Sequence, residues 1–415
     1  MKQDALLSPE EAQRLVLEQV SPLGPEQIPL AEALGRVLAE AITATADLPP
    51  ADNSAMDGFA VRSVDVAAAS PQRPVRLEVI EEIPAGRVGA RRVEPGQASR
   101  VMTGAPLPMG ADAVIPVEQT RVPGRPDEQR VEVRSSAAPG THVRRRGSDV
   151  AAGTVVLRAG TECGPAEVGA LAALGRPVVT VGRRPTVAIL ATGDELAEPH
   201  EPLSPGRIVN SNSPALAALA RRHGAVPVVL PIAPDRREAL RAAFASAMSA
   251  DFILSSGGVS VGDHDYVKAV LAELGARTVF WRVAMKPGKP LHFSVLGGKP
   301  CFGLPGNPVS SMVSFLQFVR PAIRRAAGYR DDDLLLPAAR AVVDGPVANQ
   351  DDRRGYLRAA LWLDGSRLHA RVMAAQGSHQ LTSMLEANGL VVLEPGETVE
   401  AGGEATVQVI GPIGS

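Results

Sequence analysis

An alternation of strand-like and helix-like segments between residues 186 and 325 constrains the fold of this chain more than any other feature. Short apolar runs such as TVAIL and DFILSS are typical of buried strands. Each is followed by a segment with apolar residues at helical spacing, such as SPALAALARRHG or DRREALRAAFASAM. Strands that alternate with helices predict an α/β domain with a mostly parallel sheet. In such domains ligands bind beyond the carboxyl ends of the strands.

Four loops at predicted strand ends carry residues suited to ligand binding: ATGDEL (191–196), PIAPD (231–235), SSGGVSVGD (255–263) and GLPGNP (303–308). Glycine lets the backbone approach a ligand closely, and N–H groups at a helix start bind anions. In the fourth loop Asn307 is predicted to be the N-cap and Pro308 the first helical residue, while Gly306 leaves room for a ligand. The loops together favour a site for a phosphate-bearing ligand, although each alone could be an ordinary glycine-rich connection or a well-capped helix.

Acidic residues follow the same predicted strands; they are Asp194, Glu195, Asp235, Asp263 and Asp265. Carboxylates next to a phosphate site would repel the ligand unless a cation lay between them. Mg²⁺, bound by one or two carboxylates and by phosphate oxygens, is the usual solution. For any single acid the alternative is a helix cap, as Asp263 could be for the helix that follows it. The pattern therefore predicts a Mg²⁺-assisted site.

The lysines are distributed unevenly. The chain has only five among its 43 basic residues, yet MKPGKP (285–290) contains two of them, Lys286 and Lys289. Lysine is a compact point charge, whereas arginine is a planar fork. The pair favours a small, dense anion, and chance placement in a solvated turn is the alternative.

The remaining segments are strand-like and broken by Pro and Gly. Residues 50–145 contain ADNSAMDGFA (51–60), in which Asp57 has no local explanation, and VMTGAPLPMGADAV (101–114), in which Thr103 marks either a turn or a ligand contact. The three arginines at 144–146 could hold a polyanion or cover a solvated face. Five strand-like runs from residue 336 onward predict a small barrel or sandwich.

Composition excludes several classes of protein. The 415 residues predict two to four domains, and a net charge of −2 gives no reason to expect nucleic acid or an anionic membrane as partner. Two distant cysteines, Cys163 and Cys301, argue against a disulfide scaffold and fit a reducing compartment. No apolar run reaches the ~18 residues of a membrane span, and the N-terminus does not resemble a signal peptide. We expect a soluble, cytoplasmic protein.

The fingerprints of NAD binding, Walker-type ATP binding, zinc sites and the nucleophile elbow are absent from the sequence.

Seven motifs occur in the order found in the molybdopterin molybdenumtransferase (MoeA) family, which includes the gephyrin E domain, and the chain resembles that family over residues 8–412. The motifs are DNSAMDGFAV, MTGAPLPMGADAV, RRRGSDV, ATGDEL, SSGGVSVGDHDYV, MKPGKP and GLPGNPVSS. The resemblance implies insertion of molybdate into adenylylated molybdopterin, which yields molybdenum cofactor and AMP, with Mg²⁺ as cofactor. It also implies a homodimer in which each active site is shared between the α/β domain of one subunit and the β-rich domain of its partner. Molybdopterin adenylyltransferase is a candidate partner protein.

The fold implied by the resemblance is α/β plus β, multi-domain and elongated. We expect five domains: an N-terminal helix packed on the α/β domain (1–26), a discontinuous connecting domain (27–48 and 145–180), a β-rich domain (49–144), an α/β molybdopterin-binding domain (181–328) and a C-terminal β-barrel (329–415).

The resemblance also assigns roles to individual residues. The catalytic candidates are Asp57, Asp149, Glu195, Asp235, Asp265, Lys286 and Lys289, of which Glu195, Asp235 and Asp265 are the metal candidates. The substrate-binding candidates are Thr103, Ser255, Ser256, Gly257, Gly258, Ser260, Gly262, Pro305, Gly306, Asn307 and Pro308. The molybdate candidates are Lys286, Lys289, Pro290, Arg358 and Ser378.

The chain departs from the family pattern at Asn210 and Arg236, and His264 stands between the two acids of SSGGVSVGDHDYV. Asn210 stands where many members carry Asp, and Arg236 follows Asp235 where a second Asp is common. Two other functions stay open at this point, a non-catalytic scaffold like gephyrin and a nucleotide pyrophosphatase that uses the α/β domain alone. The acids and both lysines argue against the first, and the N-terminal half and the tail argue against the second.

Overall fold

The computed structural model describes residues 6–122, 129–257 and 266–414. The chain divides into two compact units. One comprises Met1–Glu40, Ala159–Gly169 and Pro177–Ser415, and the other comprises Ala41–Arg158 and Ala170–Arg176. The five-domain division expected from the sequence is finer than this and stays a prediction.

The larger unit contains a six-stranded sheet, as the strand and helix alternation predicts. Its strands, in spatial order, are Val226–Val229, Thr186–Ala191, Phe252–Ser256, Lys299–Leu304, Pro290–Leu296 and Arg277–Arg282. The first four pair in parallel, and the last two join them in antiparallel pairs. The prediction of a mostly parallel α/β domain is confirmed.

Helices cover both faces of this sheet, because successive side chains along its strands are apolar and point to opposite faces. Val187 and Ile189 belong to the apolar cluster on one face, whereas Ala188 and Leu190 belong to the cluster on the other. Strands buried on both faces are apolar at every position, which is why TVAIL shows no polar alternation. The helices of this unit are Pro9–Leu17, Pro165–Ala173 (whose last residues lie in the smaller unit), Asn212–Arg222, Arg237–Ala247, Tyr266–Glu273, Pro308–Ser314, the π-helix Phe315–Val319 and Arg320–Ala326.

The C-terminal strands of the same unit close into a five-stranded barrel. They are Ala338–Val343, Arg354–Asp364, Arg367–Val372, Gly389–Leu393 and Glu404–Val409. The barrel closes because the long second strand pairs both with its hairpin partner and with Gly389–Leu393. Alternate inward positions carry Ala, Val and Leu, which fill a barrel of this size. The short strand Met285–Lys286 pairs in parallel with the start of the long barrel strand, so the MKPGKP segment is attached to the barrel.

Shorter strand pairs complete the larger unit. They are Pro25–Pro29 with Val178–Gly182, Leu196–Ala197 with Ile208–Val209, and Val347–Ala348 with Thr398–Val399.

The smaller unit is β-rich, as predicted. Its sheet contains, in spatial order, Ala113–Pro116, Gly58–Val61, Gln97–Val101, Val75–Ile83, Arg130–Val133 and Thr120–Arg121. Two further pairs are Asn53–Ser54 with Val143–Arg144 and Ile42–Thr43 with Val155–Leu157, and the helix is Ser63–Val66. Within the described ranges, none of the helices in either unit is long and apolar enough to cross a membrane.

Candidate functional site

A cleft of about 1400 Å³ opens in the larger unit where the parallel strands end, and the barrel supplies its opposite wall. All four loops singled out in the sequence reach the cleft. In chain order, the first loop contributes Thr192 and Glu195, the second Asp235, the third Ser256 and Gly257, and the fourth the segment Pro305–Pro308. The barrel side contributes residues far away in sequence; those used below are Asn349, Asp351, Arg353, Arg358 and Ser378. The cleft thus joins the carboxyl edge of the sheet to a second, separately built surface.

Close backbone approaches and one asparagine form the floor of the cleft. Gly257 has a φ of 92°, and a Cβ there would lie 2.8 Å from the Thr192 carbonyl oxygen, so only glycine fits without strain. The Asn212 amide nitrogen donates both to Ser256 Oγ and to the Gly306 carbonyl oxygen, each at 2.8 Å. Asn212 therefore fixes two ligand-facing loops relative to each other.

The two lysines of MKPGKP differ in their surroundings. Lys286 Nζ lies 3.2 Å from Asp351 Oδ2, across the junction between the α/β domain and the barrel. The side chain of Lys289 is exposed and makes no hydrogen bond or ion pair within the described ranges. Both lysines line the cleft, together with Pro290.

Arg358 and Ser378 act as one structural group. Arg358 is 1% exposed, and its guanidinium donates to the carbonyl oxygens of Ala375 and Gly377 at 3.1 Å each and to Ser383 Oγ at 3.2 Å. Burial lowers the pKa of Arg358 from its ordinary value. The arginine thereby shapes the loop that carries Ser378, and both residues line the cleft.

Ser378 links the barrel to the loop at residues 303–308. Its Oγ accepts a hydrogen bond from the Asn307 amide at 3.0 Å, and its carbonyl oxygen accepts one from the Val309 N–H at 3.1 Å. Asn307 is the N-cap residue by position, as predicted, but its side chain makes no capping bond and reaches Ser378 instead.

Two of the predicted acids line the cleft, Glu195 and Asp235. Asp235 Oδ1 accepts a hydrogen bond from Thr192 Oγ1 at 2.5 Å, and the Asp235 N–H donates to Asp194 at 3.2 Å. No group of three or more His, Cys, Asp or Glu able to hold a metal occurs among the described residues. Two carboxylates nevertheless fit the way in which proteins hold Mg²⁺ when phosphate oxygens complete the shell.

Other predicted residues lie elsewhere. Ser255 is fully buried, its Oγ has no hydrogen-bond partner, and it does not line the cleft, whereas its neighbour Ser256 does. Four of the predicted site residues, Gly258, Ser260, Gly262 and Asp265, fall outside the described residues. Asp263, named among the acids at strand ends, falls outside them as well. Asn210, the first departure from the family pattern, does line the cleft, but it is buried and exchanges hydrogen bonds with Ser213, so it supports the start of a helix.

Asp57, Thr103 and Asp149 belong to the smaller unit. Asp57 directly precedes the strand Gly58–Val61 and accepts hydrogen bonds from the Thr103 N–H and Oγ1, which lower the pKa of the carboxyl group. Asp149 is exposed, and its N–H donates to the Leu48 carbonyl oxygen.

The three arginines at 144–146 belong to the smaller unit as well. Arg145 and Arg146 pair with Asp52 and Asp47, so two of the three are paired with acids of the protein itself.

Sequence reasoning missed the residues that organise the cleft from the barrel side. Asp351, Arg353 and Asn349 all line it. The stretch NQDDRR (349–354), which puts acids and arginines side by side just before a strand, was the available signal. Asn212, within NSNSP (210–214), was the other.

Comparison with known proteins gives a consistent result along the whole chain. Residues 7–175 match the family model described as the MoeA N-terminal region (domain I and II), residues 188–325 match a probable molybdopterin binding domain, and residues 340–410 match the MoeA C-terminal region (domain IV).

Individual relatives agree with the family models. The chain is 41% identical to a molybdopterin molybdenumtransferase of Nostoc sp. over 94% of this chain and 89% of that protein. It is also 41% identical to molybdopterin molybdenumtransferase 2 of Mycobacterium tuberculosis, over 97% of this chain and 98% of the relative. A crystal structure of the molybdopterin biosynthesis MoeA protein from Pyrococcus horikoshii superposes with a TM-score of 0.83 at 32% identity, covering 98% of this chain and 100% of that one.

Proposed function

Since this chain belongs to the molybdopterin molybdenumtransferase (MoeA) family, we propose that it inserts molybdate into adenylylated molybdopterin, forming molybdenum cofactor and releasing AMP. The observation that carries the proposal is the cleft itself. One wall consists of loops suited to phosphate, and the other holds two lysines and Ser378 within the same 1400 Å³ space. A phosphorylated ligand and a small oxyanion can therefore be held side by side.

In this proposal the two walls have different tasks. Ser256, Gly257 and the segment Pro305–Pro308 hold the phosphate-bearing part of the pterin nucleotide, because small residues and exposed N–H groups there leave room for phosphate oxygens. Lys286, Lys289 and Ser378 hold molybdate, with Pro290 lining the same pocket and Arg358 keeping the Ser378 loop in place. Ser255, buried on the opposite face of its strand, would support this wall without touching the ligand.

We propose Mg²⁺ as the cofactor, held by Glu195 and Asp235 with Asp265 as a third candidate ligand. When bound, the ion would neutralise the phosphate charge that these carboxylates otherwise repel. Thr192 keeps the Asp235 carboxylate in place through the 2.5 Å hydrogen bond. Gly193 leaves room for the Glu195 side chain, because a Cβ at Gly193 would lie 2.5 Å from the Glu195 carboxylate.

We further propose that the enzyme works as a homodimer in the cytoplasm. Asp57, a catalytic candidate in the smaller unit, would complete the site of the other subunit, as the family resemblance implies, and Asp149 is kept as a further catalytic candidate. The two cysteines, Cys163 and Cys301, are buried and unpaired, which suits a reducing compartment. Molybdopterin adenylyltransferase, which would supply the adenylylated ligand, is the candidate partner protein.

The test is an assay of AMP release from adenylylated molybdopterin at increasing molybdate concentration. A transferase releases AMP in proportion to added molybdate and loses this response in the Lys289→Ala variant. A pyrophosphatase releases AMP whether or not molybdate is present, and a scaffold releases none. Either of these last results would overturn the proposal.

A further inference from the structure

The ion pair between Lys286 and Asp351 brings a negative charge into the proposed oxyanion site. Lys286 Nζ lies 3.2 Å from Asp351 Oδ2, and both residues line the cleft. The lysine side chain is 61% exposed, while that of the aspartate is only 14% exposed. An anion that enters the cleft would therefore meet a lysine already paired with a carboxylate of the protein.

Asp351 is held firmly in that place. Arg353 donates to both carboxylate oxygens, from Nε to Oδ1 at 2.6 Å and from Nη2 to Oδ2 at 2.7 Å. Asn349 Oδ1 accepts the Asp351 N–H, and the amide of Asn349 donates to three carbonyl oxygens of the barrel, those of Arg353, Leu393 and Glu394. The Arg353 and Lys286 side chains keep the pKa of Asp351 well below its ordinary value, so the carboxyl group is ionised throughout the neutral range. Neither rotation nor protonation removes this charge.

We propose that Asp351 is an internal counter-ion of the oxyanion site, which occupies Lys286 in the empty cleft and weakens the binding of the incoming anion. This rests on the proposed function, in which Lys286 and Lys289 hold molybdate. The two lysines then have different tasks. Lys289, whose side chain has no partner within the described ranges, attracts the anion, and Lys286 is shared between the anion and Asp351.

Asp351 could also have the opposite role and improve binding by orienting Lys286. The size of that benefit must be compared with the repulsion between the carboxylate and the anion. Ordering one long side chain costs about two- to tenfold in affinity. A like charge at contact distance costs about fivefold even in bulk water and more in a partly buried cleft, and a dianion doubles the effect in energy. The repulsion exceeds the benefit of orientation, so removing the carboxylate is expected to tighten binding.

The consequence for function is that molybdate binds firmly only with further contacts. An anion that touches Lys286 alone gains little, because it replaces a pairing that already exists. An anion that also reaches Lys289 and Ser378 gains contacts that Asp351 does not supply. Asp351 thus keeps the empty site from filling with other anions of the cell.

The experiment is calorimetric titration of the full-length protein with inorganic molybdate at fixed ionic strength. We expect Asp351→Asn to bind molybdate about tenfold more tightly than wild type, equivalent to about 1.4 kcal/mol. Asp352→Asn is the matched control, since it removes the same charge one residue away from an 88% exposed side chain that does not line the cleft, and it should stay within about twofold of wild type. Structural damage would weaken binding, so tightening cannot be mistaken for it.

Two further variants complete the design. Asp351→Ser removes the carboxylate with a different side chain and should also tighten binding, which covers a failure of Asp351→Asn to fold. Asp351→Asn should still tighten binding in a Lys286→Met background, but by less than in wild type, because the carboxylate repels the anion directly and also competes for Lys286. If the folded Asp351 variants bind molybdate as weakly as wild type or more weakly, while Lys289→Ala still reduces binding, the inference is wrong and the proposed function stands. If wild type and all variants fail to bind molybdate, the oxyanion role of the lysines falls together with the inference.

Discussion

Asp57 accepts two hydrogen bonds from a single residue, one from the Thr103 N–H at 2.6 Å and one from Thr103 Oγ1 at 2.7 Å, both on the same carboxylate oxygen. These bonds lower the pKa of the Asp57 carboxyl group below its ordinary value. A carboxylate as exposed as this one is ionised at neutral pH without such help. The pair therefore fixes the direction of Asp57 at the end of its loop rather than its charge.

We predict that Thr103→Val lowers the rate of AMP release about tenfold while Thr103→Ser keeps it within about twofold of wild type. Valine has the shape of threonine but lacks the Oγ1 donor, so Asp57 keeps one hydrogen bond and loses the other. The pKa of Asp57 should rise toward its ordinary value in the valine variant, measured by NMR titration, yet the group stays ionised at pH 7. A valine variant with the wild-type rate would show that this orientation does not matter for catalysis.

The parts of the fold that could be predicted from the sequence are those specified by residues close together in the chain. The α/β domain was predictable because its signals are local, with apolar strands such as Thr186–Ala191 and amphipathic helices such as Arg237–Ala247 in alternation. The strand pattern of the tail alone predicted a barrel or a sandwich, and the family resemblance supplied the choice of a barrel. Closure depends on the pairing of Arg354–Asp364 with Gly389–Leu393, and nothing local specifies it.

The candidate site was predictable on one wall and not on the other. Loops at strand ends must meet at the edge of a parallel sheet, so the cleft position of Asp235 and Gly306 follows from topology. The pairing of Lys286 with Asp351 spans 65 residues and depends on how the barrel packs, which no local pattern encodes.

Ser255 shows a different limit of the sequence. Every residue of its strand Phe252–Ser256 is buried, so alternation of polar and apolar residues cannot reveal which serine faces the ligand.

We predict that substitution of either lysine by arginine reduces apparent molybdate affinity nearly as much as substitution by alanine. The guanidinium is larger and planar, so it cannot replace a compact ammonium group between Pro287, Gly288 and Pro290. Loss of a close charged contact should cost about 2–4 kcal/mol, or roughly 30- to 1000-fold. A molybdate titration of AMP release measures this, and arginine variants within about threefold of wild type would reduce the lysines to generic cations.

The same titration should rank the two lysines. Lys286→Ala leaves the Asp351 carboxylate in the cleft without its lysine, whereas Lys289→Ala uncovers no acid within the described ranges. We therefore expect Lys286→Ala to lose more apparent molybdate affinity than Lys289→Ala. Equal losses would show that Asp351 does not influence the bound anion.

We predict that two inactive variants, Asp57→Asn and Asp235→Asn, complement each other when their subunits are exchanged. If a site takes Asp57 from one subunit and Asp235 from the other, each mixed dimer contains one fully wild-type site. Random exchange should then restore about a quarter of wild-type AMP release. Each variant mixed with itself is the control, and mixed dimers that remain inactive would place both acids in the same subunit's site.

We predict that the α/β domain loses stability as the pH falls from 7 to 4.5, because the buried His292 and the half-buried His223 must be neutral when folded. Burial lowers the pKa of His292 to about 4, with a smaller contribution from Lys268. Burial, with Arg320, Arg222 and Arg324 nearby, lowers the pKa of His223 to about 3. Both values lie below the unfolded value of about 6.5, so the unfolded chain binds more protons below that pH. Stability is therefore complete above about pH 6.5 and falls by up to about 1.4 kcal/mol per pH unit for each histidine.

Trp281 provides the measurement, since its ring lies 4.6 Å from that of His292 and reports unfolding of this region. Urea unfolding would be followed by tryptophan fluorescence at several pH values in a Trp362→Phe background, which removes the only other tryptophan. His292→Gln should roughly halve the slope of stability against pH, because one of the two titrating groups is lost. The carboxylates with lowered pKa, such as Asp251, lose most of their contribution below about pH 4, so they add little to the effect in this range. A stability that stays constant between pH 7 and 4.5, or a slope unchanged by His292→Gln, would show that these histidines are not held neutral in the folded domain.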